Sequence, residues 1–309
     1  MIFSVLLNPA VDVIYELPEL VPGSTMTDTP SVIHPAGKGI NVAKAVRTLG
    51  EEVCVVGLIP GHDQGRFRQY LEYRRIGAEF FRVGGSARVN VTIAEQENGQ
   101  VTHVSSIGPA LSTRVQEEFF AFAESKMRAG DLWVLSGSLP AGFEGNAYRK
   151  LIERLGEHGA TVMLDSRGKG LRLGLRARPA MVKPNHTELE AYFGEPIEGV
   201  RHIALKAKRL SDMGIEYVFV SLGSDGMIAV HDNDCLLCSS PPIEAVDTVG
   251  CGDALVAGVV VGYRRKFSFA ETCRMAIACG ASNAMHPGPG NVSLDEVWRL
   301  MEDVRVEAI

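Results

Sequence analysis

The stretch DLWVLSGSLPAGFEGNAYRKLIERLGEHGATVMLDS, residues 131–166, decides the fold. Residues 133–136 and 161–165 are short, apolar and β-rich, as strands buried on both faces are. Between them residues 146–158 have helical length and apolar spacing, with Gly159 placed as the stop. Strand, helix and strand in that order form the unit of a parallel sheet, because a parallel partner can be reached only by a crossover. Outward from this unit the alternation continues. Residues 181–183 and 217–221 read as further buried strands, and 117–127 and 203–213 as helices closed by Gly130 and Gly214. The expected fold is α/β, a doubly wound, mainly parallel sheet flanked by helices.

Two stretches break the pattern. Residues 11–35 contain Pro18, Pro22, Gly23 and Pro30 and no helical period, while residues 88–106 alternate polar and apolar around an Asn98-Gly99 hairpin turn. Neither suits the interior of a parallel sheet. They are expected to pair into a small β-sheet lid above the carboxyl edge of the main sheet, where ligands bind in such folds. The division is then a core of residues 1–10, 36–86 and 107–309 and a discontinuous lid of residues 11–35 and 87–106.

The 309 residues include 31 Lys plus Arg and 37 Asp plus Glu, a formal charge of −6, which excludes a generally basic nucleic-acid surface. The N-terminal MIFSVLL has no basic leader, and Asn8, Pro9 and Asp12 interrupt it, so neither a signal peptide nor a membrane span is expected. Six cysteines are too sparse for a disulfide scaffold and imply a reducing cytoplasm. Cys235 and Cys238 form a CxxC, but on a hairpin turning at residues 232–234 they point to opposite faces of the sheet, and no second pair completes a zinc site. Cys54, Cys273 and Cys279 lie in apolar runs and read as core thiols.

The chemistry concentrates in Asp247-Thr248-Val249-Gly250-Cys251-Gly252-Asp253, followed by ALVAGVVVGY. The small and β-branched residues after Asp253 suit a buried helix whose first turn carries that carboxylate. Glycines on both sides of Cys251 let the backbone turn so that successive N–H groups converge, and the helix N-terminus adds positive potential. An anion hole beside a carboxylate is what phosphoryl transfer requires: a hydroxyl must lose its proton while phosphoryl charge is stabilised. An ordinary glycine turn with a carboxylate favouring the helix dipole fits this string equally well. A second glycine-rich string, residues 35–44 (PAGKGINVAK), also opens a helix. No GK[ST] occurs in the chain and no GxGxxG follows the first strand, which disfavours a Walker-type ATPase and a Rossmann dehydrogenase.

Seven ordered motifs then carry a family resemblance: LNPAVD (7–12), AGKGINVAK (36–44), RVNV (88–91), SGSLPAG (136–142), VKPNHTELE (182–190), VSLGSDG (220–226) and DTVGCGD (247–253). The chain resembles the PfkB-type carbohydrate kinases of the ribokinase superfamily, and within them the 1-phosphofructokinase and tagatose-6-phosphate kinase branch. The resemblance implies a ribokinase-like fold, with Asp253 as catalytic base and Gly250, Cys251 and Gly252 as the anion hole. It implies sugar binding by Asp12, Gly37 and Asn41, a nucleotide-phosphate and Mg²⁺ segment of Lys183, Asn185 and Glu188, and a nucleotide loop of Ser221, Gly223 and Gly226 with Asn283 near the adenine. Asn185 and Glu188, three apart, also fit a helix capping box. Asp165, ending a strand, either approaches the site or caps the next turn. Arg88 and Asn90 match the motif of kinases whose sugar already carries a phosphate, with Lys38 and Ser138 assisting, and a guanidinium suits phosphate oxygens.

The implied cofactors are ATP and Mg²⁺, with a monovalent cation beside them. The implied partners are a small sugar phosphate and ATP, with no nucleic acid and no membrane, in a homodimer joined through the lid. The expected reaction is ATP-dependent phosphorylation of D-fructose 1-phosphate to fructose 1,6-bisphosphate. The alternatives are tagatose 6-phosphate or fructose 6-phosphate as acceptor, and a sensor of sugar phosphate or nucleotide that has lost turnover. Two departures stand out: Cys251 where relatives have Ala or Ser, and no Lys near Ser24 or Thr25, which counts against fructose 6-phosphate.

Overall fold

The computed structural model describes residues 1–27 and 29–309; Asp28, within the first expected lid segment, lies outside the described residues. Third from one edge of a ten-stranded sheet, Ile2–Leu6 pairs in parallel with Val53–Pro60 and with Leu132–Ser136. Gly77–Val83 joins in parallel on one side, and Thr161–Asp165, Met181–Val182 and Tyr217–Ser221 on the other. Three antiparallel strands, Met227–His231, Asp234–Ser239 and Arg305–Ala308, finish that edge.

Both faces of the inner sheet are covered, so its inner strands, such as Ile2–Leu6, Val53–Pro60 and Leu132–Ser136, are buried at every position rather than at alternate ones. Ile2 and Leu6 pack into one core with the Lys38–Thr48, Cys251–Arg264 and Phe269–Ala284 helices. Phe3, Val5 and Leu7 point the other way, into a core shared with the Thr113–Lys126, Ala147–Glu157 and Gly199–Asp212 helices. Cys238 belongs to the first core and Cys235 packs against the second, on opposite faces as period 2 requires, and all six thiols are free.

The expected elements are present with shifted ends. The helix expected at residues 117–127 begins at Thr113, because the Ser112 hydroxyl accepts the Val115 N–H and caps it earlier. The strand expected at 181–183 ends at Val182, which frees Lys183 for the site. The small sheet is separate and four-stranded, in the order Ser31–Ala36, Ala10–Leu17, Arg88–Glu95, Val101–Ser105. Its register aligns His34, Asp12, Asn90 and Ser105 in one cross-strand row, and Ile33, Val13, Val91 and Val104 in the next. Adjacent rows face opposite sides, so this sheet has a polar row on one face and an apolar row on the other. Among the described residues, no helix is long and apolar enough to cross a membrane.

Candidate active site

The Lys38–Thr48 helix starts directly under the first strand. Gly39 permits this: a Cβ there would sit 2.6 Å from the Val5 carbonyl oxygen, and the Ser4 hydroxyl donates to the Gly39 carbonyl at 2.8 Å. The helix start therefore lies at the carboxyl edge of the sheet and delivers two side chains to Asp253. Asn41 Nδ2 donates to Asp253 Oδ2 at 2.8 Å, and Lys38 Nζ donates to Asp253 Oδ1 at 2.9 Å. The same ammonium donates to Asp165 Oδ2 at 2.9 Å, and Lys183 Nζ lies 3.1 Å from Asp165 Oδ1. Asp253, Lys38, Asp165 and Lys183 thus form one alternating chain of charge at the strand ends.

Burial pushes the Asp253 carboxyl above the usual carboxylate range; Lys38 opposes this and Asp165 adds to it. Burial acts in the same direction on Asp165, but Lys183 and Lys38 outweigh it and hold Asp165 low. Burial disfavours the Lys38 charge, and the two carboxylates overcome it and raise its pKa. One carboxylate is thereby locked as an anion while its neighbour is kept more basic, and divergent environments of this kind separate structural from proton-accepting roles.

The loop before Asp253 is held from outside. Asp247 accepts the N–H groups of Val249 and Gly288, both at 2.9 Å. Gly250 has φ +84°, and a Cβ there would lie 2.5 Å from Pro289 Cβ. Only glycine fits this turn, which opens the first-turn N–H groups of the Cys251–Arg264 helix toward the site, where they have no intrahelical acceptor. A Cβ on Gly252 would be 3.5 Å from Lys183 Nζ, so that ammonium sits beside these N–H groups. The Cys251 thiol is pushed up, chiefly by burial, and is held neutral.

Two cavities flank the charged chain. One, of about 360 Å³, is lined by Asn8, Lys38, Arg88, Ser138, Arg167 and Glu188 among others. Arg88 reaches it from the lid: its Nη1 donates to Asn90 Oδ1 at 3.1 Å, and Asn90 Nδ2 donates to Asp12 Oδ1 at 2.7 Å. The buried Arg88 Nε has no partner among the described residues, and burial together with the Arg167 charge lowers the Arg88 pKa against the pull of Asp12. Asn8 Nδ2 donates to Ser138 Oγ at 3.0 Å on the opposite wall. The other cavity, of about 560 Å³, is lined by Ser221, Gly223, Gly226, Cys251 and Gly252, with Ile243, Leu255 and Ile277 supplying apolar surface.

The residues expected at the site are placed as follows. Lys38 and Asn41, expected at the sugar, are bonded to Asp253, though Lys38 also lines the smaller cavity. Asn283, expected near the adenine, is fully buried and off the cavity wall. Its amide donates to the Val249 carbonyl at 2.9 Å and accepts from Gly290 N at 2.7 Å, fastening the glycine loop. Gly37, at φ +132°, has Leu6 where a Cβ would be, a close approach that shapes the helix entry. Asn185 and Glu188 form the capping box, with Asn185 Oδ1 accepting Glu188 N at 2.7 Å and Glu188 Oε2 accepting Asn185 N at 2.9 Å, and both line the smaller cavity. The wall residues given no role in the sequence include Asn8, inside LNPAVD, Ser166, and Arg167, two residues past the strand-ending Asp165. For Arg167 no motif gave a signal.

As a magnesium site the residues fit only an ion brought with phosphate. Among the described residues no cluster of three His, Cys, Asp or Glu exists to hold a metal; of the two carboxylates on the cavity wall, Asp165 is paired with Lys38 and Lys183, and Glu188 lies beside Asn185. Mg²⁺ commonly rests on one or two carboxylates plus substrate phosphates and water, which this donor set matches.

Residues 6–296 match the pfkB family of carbohydrate kinases. The chain is 33% identical over 309 residues to the 1-phosphofructokinase of Haemophilus influenzae, covering 100% of this chain and 98% of that one. It is 33% identical over 304 residues to the Escherichia coli K12 1-phosphofructokinase, covering 98% and 97%. Among solved structures, Escherichia coli phosphofructokinase-2 in complex with potassium superposes with a TM-score of 0.92 at 25% identity, covering 97% of this chain and 98% of that one.

Proposed function

Because this chain belongs to the pfkB family of carbohydrate kinases and is a sugar-phosphate kinase, we propose that it phosphorylates the 6-hydroxyl of D-fructose 1-phosphate with ATP, giving fructose 1,6-bisphosphate. The observation that carries the choice of a phosphorylated acceptor is the pair Arg88 and Arg167 lining the same cavity, with the Arg88 Nε unpartnered. Neither guanidinium has a carboxylate in a salt bridge among the described residues, and a phosphate dianion would satisfy both. The 1-phosphofructokinase relatives favour fructose 1-phosphate over its isomers.

In this reading Asp253 accepts the proton of the attacking hydroxyl, and Asn41 and Lys38 fix the orientation of its carboxylate. The hydroxyl oxygen bonds to the terminal phosphorus as the bond to the ADP oxygen breaks. The N–H groups of Gly250, Cys251 and Gly252, with Lys183 beside them, carry the charge that builds on the phosphoryl oxygens. The larger cavity suits an adenine: apolar walls and a glycine loop at Gly223 and Gly226. Mg²⁺ bound with the nucleotide supplies charge neutralisation on the phosphates, and Asn185 and Glu188 would hold it through water. A potassium requirement is proposed from the likeness to phosphofructokinase-2, and a cytoplasmic setting from the six free thiols.

The test is coupled ADP release with fructose 1-phosphate, tagatose 6-phosphate, fructose 6-phosphate and the free sugars. Fructose 1-phosphate is expected to give the highest kcat/KM and free sugars the lowest, because remote phosphate binding aligns the reacting hydroxyl. Preference for an unphosphorylated sugar would sink the proposal.

A further inference from the structure

Behind the active-site loop lies another cavity, of about 450 Å³, which the kinase mechanism does not use. One wall is the C-terminal half of the Lys38–Thr48 helix, where Lys44, Arg47 and Thr48, spaced three and four residues apart, share a face. A second wall is Arg74 at the end of the Gln64–Tyr73 helix, its guanidinium flattened on the Tyr70 ring 3.7 Å from the centroid. The third is the loop of residues 286–293. Among the described residues no carboxylate lines the cavity. The acids of neighbouring elements are engaged elsewhere: Glu296 takes His286 and the Ser282 hydroxyl, each at 2.8 Å, and Glu51 takes Arg265 at 2.8 Å.

Among the described residues, Lys44, Arg47 and Arg74 therefore stand together without a counter-ion in a chain of net charge −6. Lys44 is the most exposed to this deficit. Burial and then the Arg74 charge lower its pKa to about 8, and its ammonium has only a peptide carbonyl for company, Pro289 O at 2.6 Å. An anion entering the cavity would relieve both effects. Two guanidinium forks and an ammonium match phosphate oxygens better than a monatomic anion.

The contact at Pro289 is what joins this cavity to catalysis. Pro289 fills the space over Gly250, and the next residue, Gly290, lies so close to Asn41 that a Cβ there would be 2.5 Å from the Asn41 carbonyl oxygen. Asn41 holds Asp253. A shift of Lys44 away from Pro289 thus acts on a loop that touches both the anion hole and the partner of the catalytic base.

We propose that the Lys44, Arg47 and Arg74 cavity binds a small phosphate-bearing metabolite at a site separate from phosphoryl transfer, and that its occupant changes turnover through the Lys44–Pro289 contact. The binding half stands on the cavity alone; the coupling half rests on Asp253 as the base. Inorganic pyrophosphate is the probe, titrated calorimetrically into wild type, Arg47→Ala/Arg74→Ala, Thr48→Glu and Arg88→Ala. Thr48→Glu places a negative charge at the rim without removing any packing, which guards against a double variant that fails to fold.

Pyrophosphate binding is expected to weaken at least tenfold in the double variant and in Thr48→Glu, and to persist in Arg88→Ala. No binding, or binding reduced only by Arg88→Ala, overturns the site. With ATP and acceptor saturating, pyrophosphate is expected to change kcat at least twofold in wild type and not in the two cavity variants, whose rates without it stay within twofold of wild type. Binding with no change in kcat overturns the coupling. Failure to phosphorylate any sugar of the panel would count against the proposed function and leave the binding result standing.

Discussion

Asp253 and Asp165 are both buried carboxylates, each within 2.9 Å of the same Lys38 ammonium, yet they are held in opposite directions. The difference is Lys183, which pairs with Asp165 alone. Asp253→Asn is expected to lower kcat by at least ~10²-fold while ATP binding changes little, as checked by coupled assay and calorimetry. Lys38→Met removes the charge that opposes the upward push on Asp253. The base works deprotonated, so raising its pKa moves the acid limb of the kcat/KM profile to higher pH, and an unmoved limb would detach Lys38 from the base. Arg88→Ala is expected to lower kcat/KM for sugar phosphates by roughly 2 to 4 kcal/mol and to leave the KM for ATP nearly unchanged. An equal loss with free sugars would show that Arg88 does not grip phosphate. Arg88 was legible from its motif, whereas Arg167 was not: a lone basic residue after a strand end is normally solvated, and only the fold brings it opposite the lid.

Among the elements, the glycine loop and the helix behind it matter most. Gly250 combines a left-handed backbone with a contact that admits no Cβ, whereas Gly223 has a comparable φ of +65° and nothing within 4 Å of a built Cβ. Gly250→Ala should therefore cost more than the ~1 to 3 kcal/mol of backbone strain expected for Gly223→Ala, because Pro289 must also move. Urea melts of the two variants compare the costs, and equal midpoints would mean that the loop accommodates the clash. The string DTVGCGD announced this turn and the buried helix after it. It left unstated that Asn283, thirty residues on, is the clamp, because nothing in a polar residue within an apolar helix says which backbone groups its amide will meet. The edge strand Arg305–Ala308 was equally silent: RVEA has no apolar run, and it is a strand only because Asp234–Ser239 offers a free edge.

For the whole molecule, the small sheet gives the clearest test. Its apolar row runs Ile33, Val13, Val91, Val104, and the two ends are 56% and 58% exposed. Burial of that row against a second copy is the proposed homodimer through the lid. Ile33→Asp/Val104→Asp is then expected to halve the mass measured by light scattering, and an unchanged mass would remove the lid from the interface. The sequence by itself determined the α/β alternation, the separate β segments, the helix-opening carboxylate and the opposite-facing CxxC, because each follows from periodicity and turn chemistry within a short window. Only the tertiary structure decided that Lys38 serves two aspartates, that Asn41 braces the base, and that a basic cavity backs the glycine loop. These depend on pairs 127 to 245 residues apart in the chain, such as Lys38 with Asp165 and Lys44 with Pro289, and electrostatic energy follows distance in space, which no local pattern encodes.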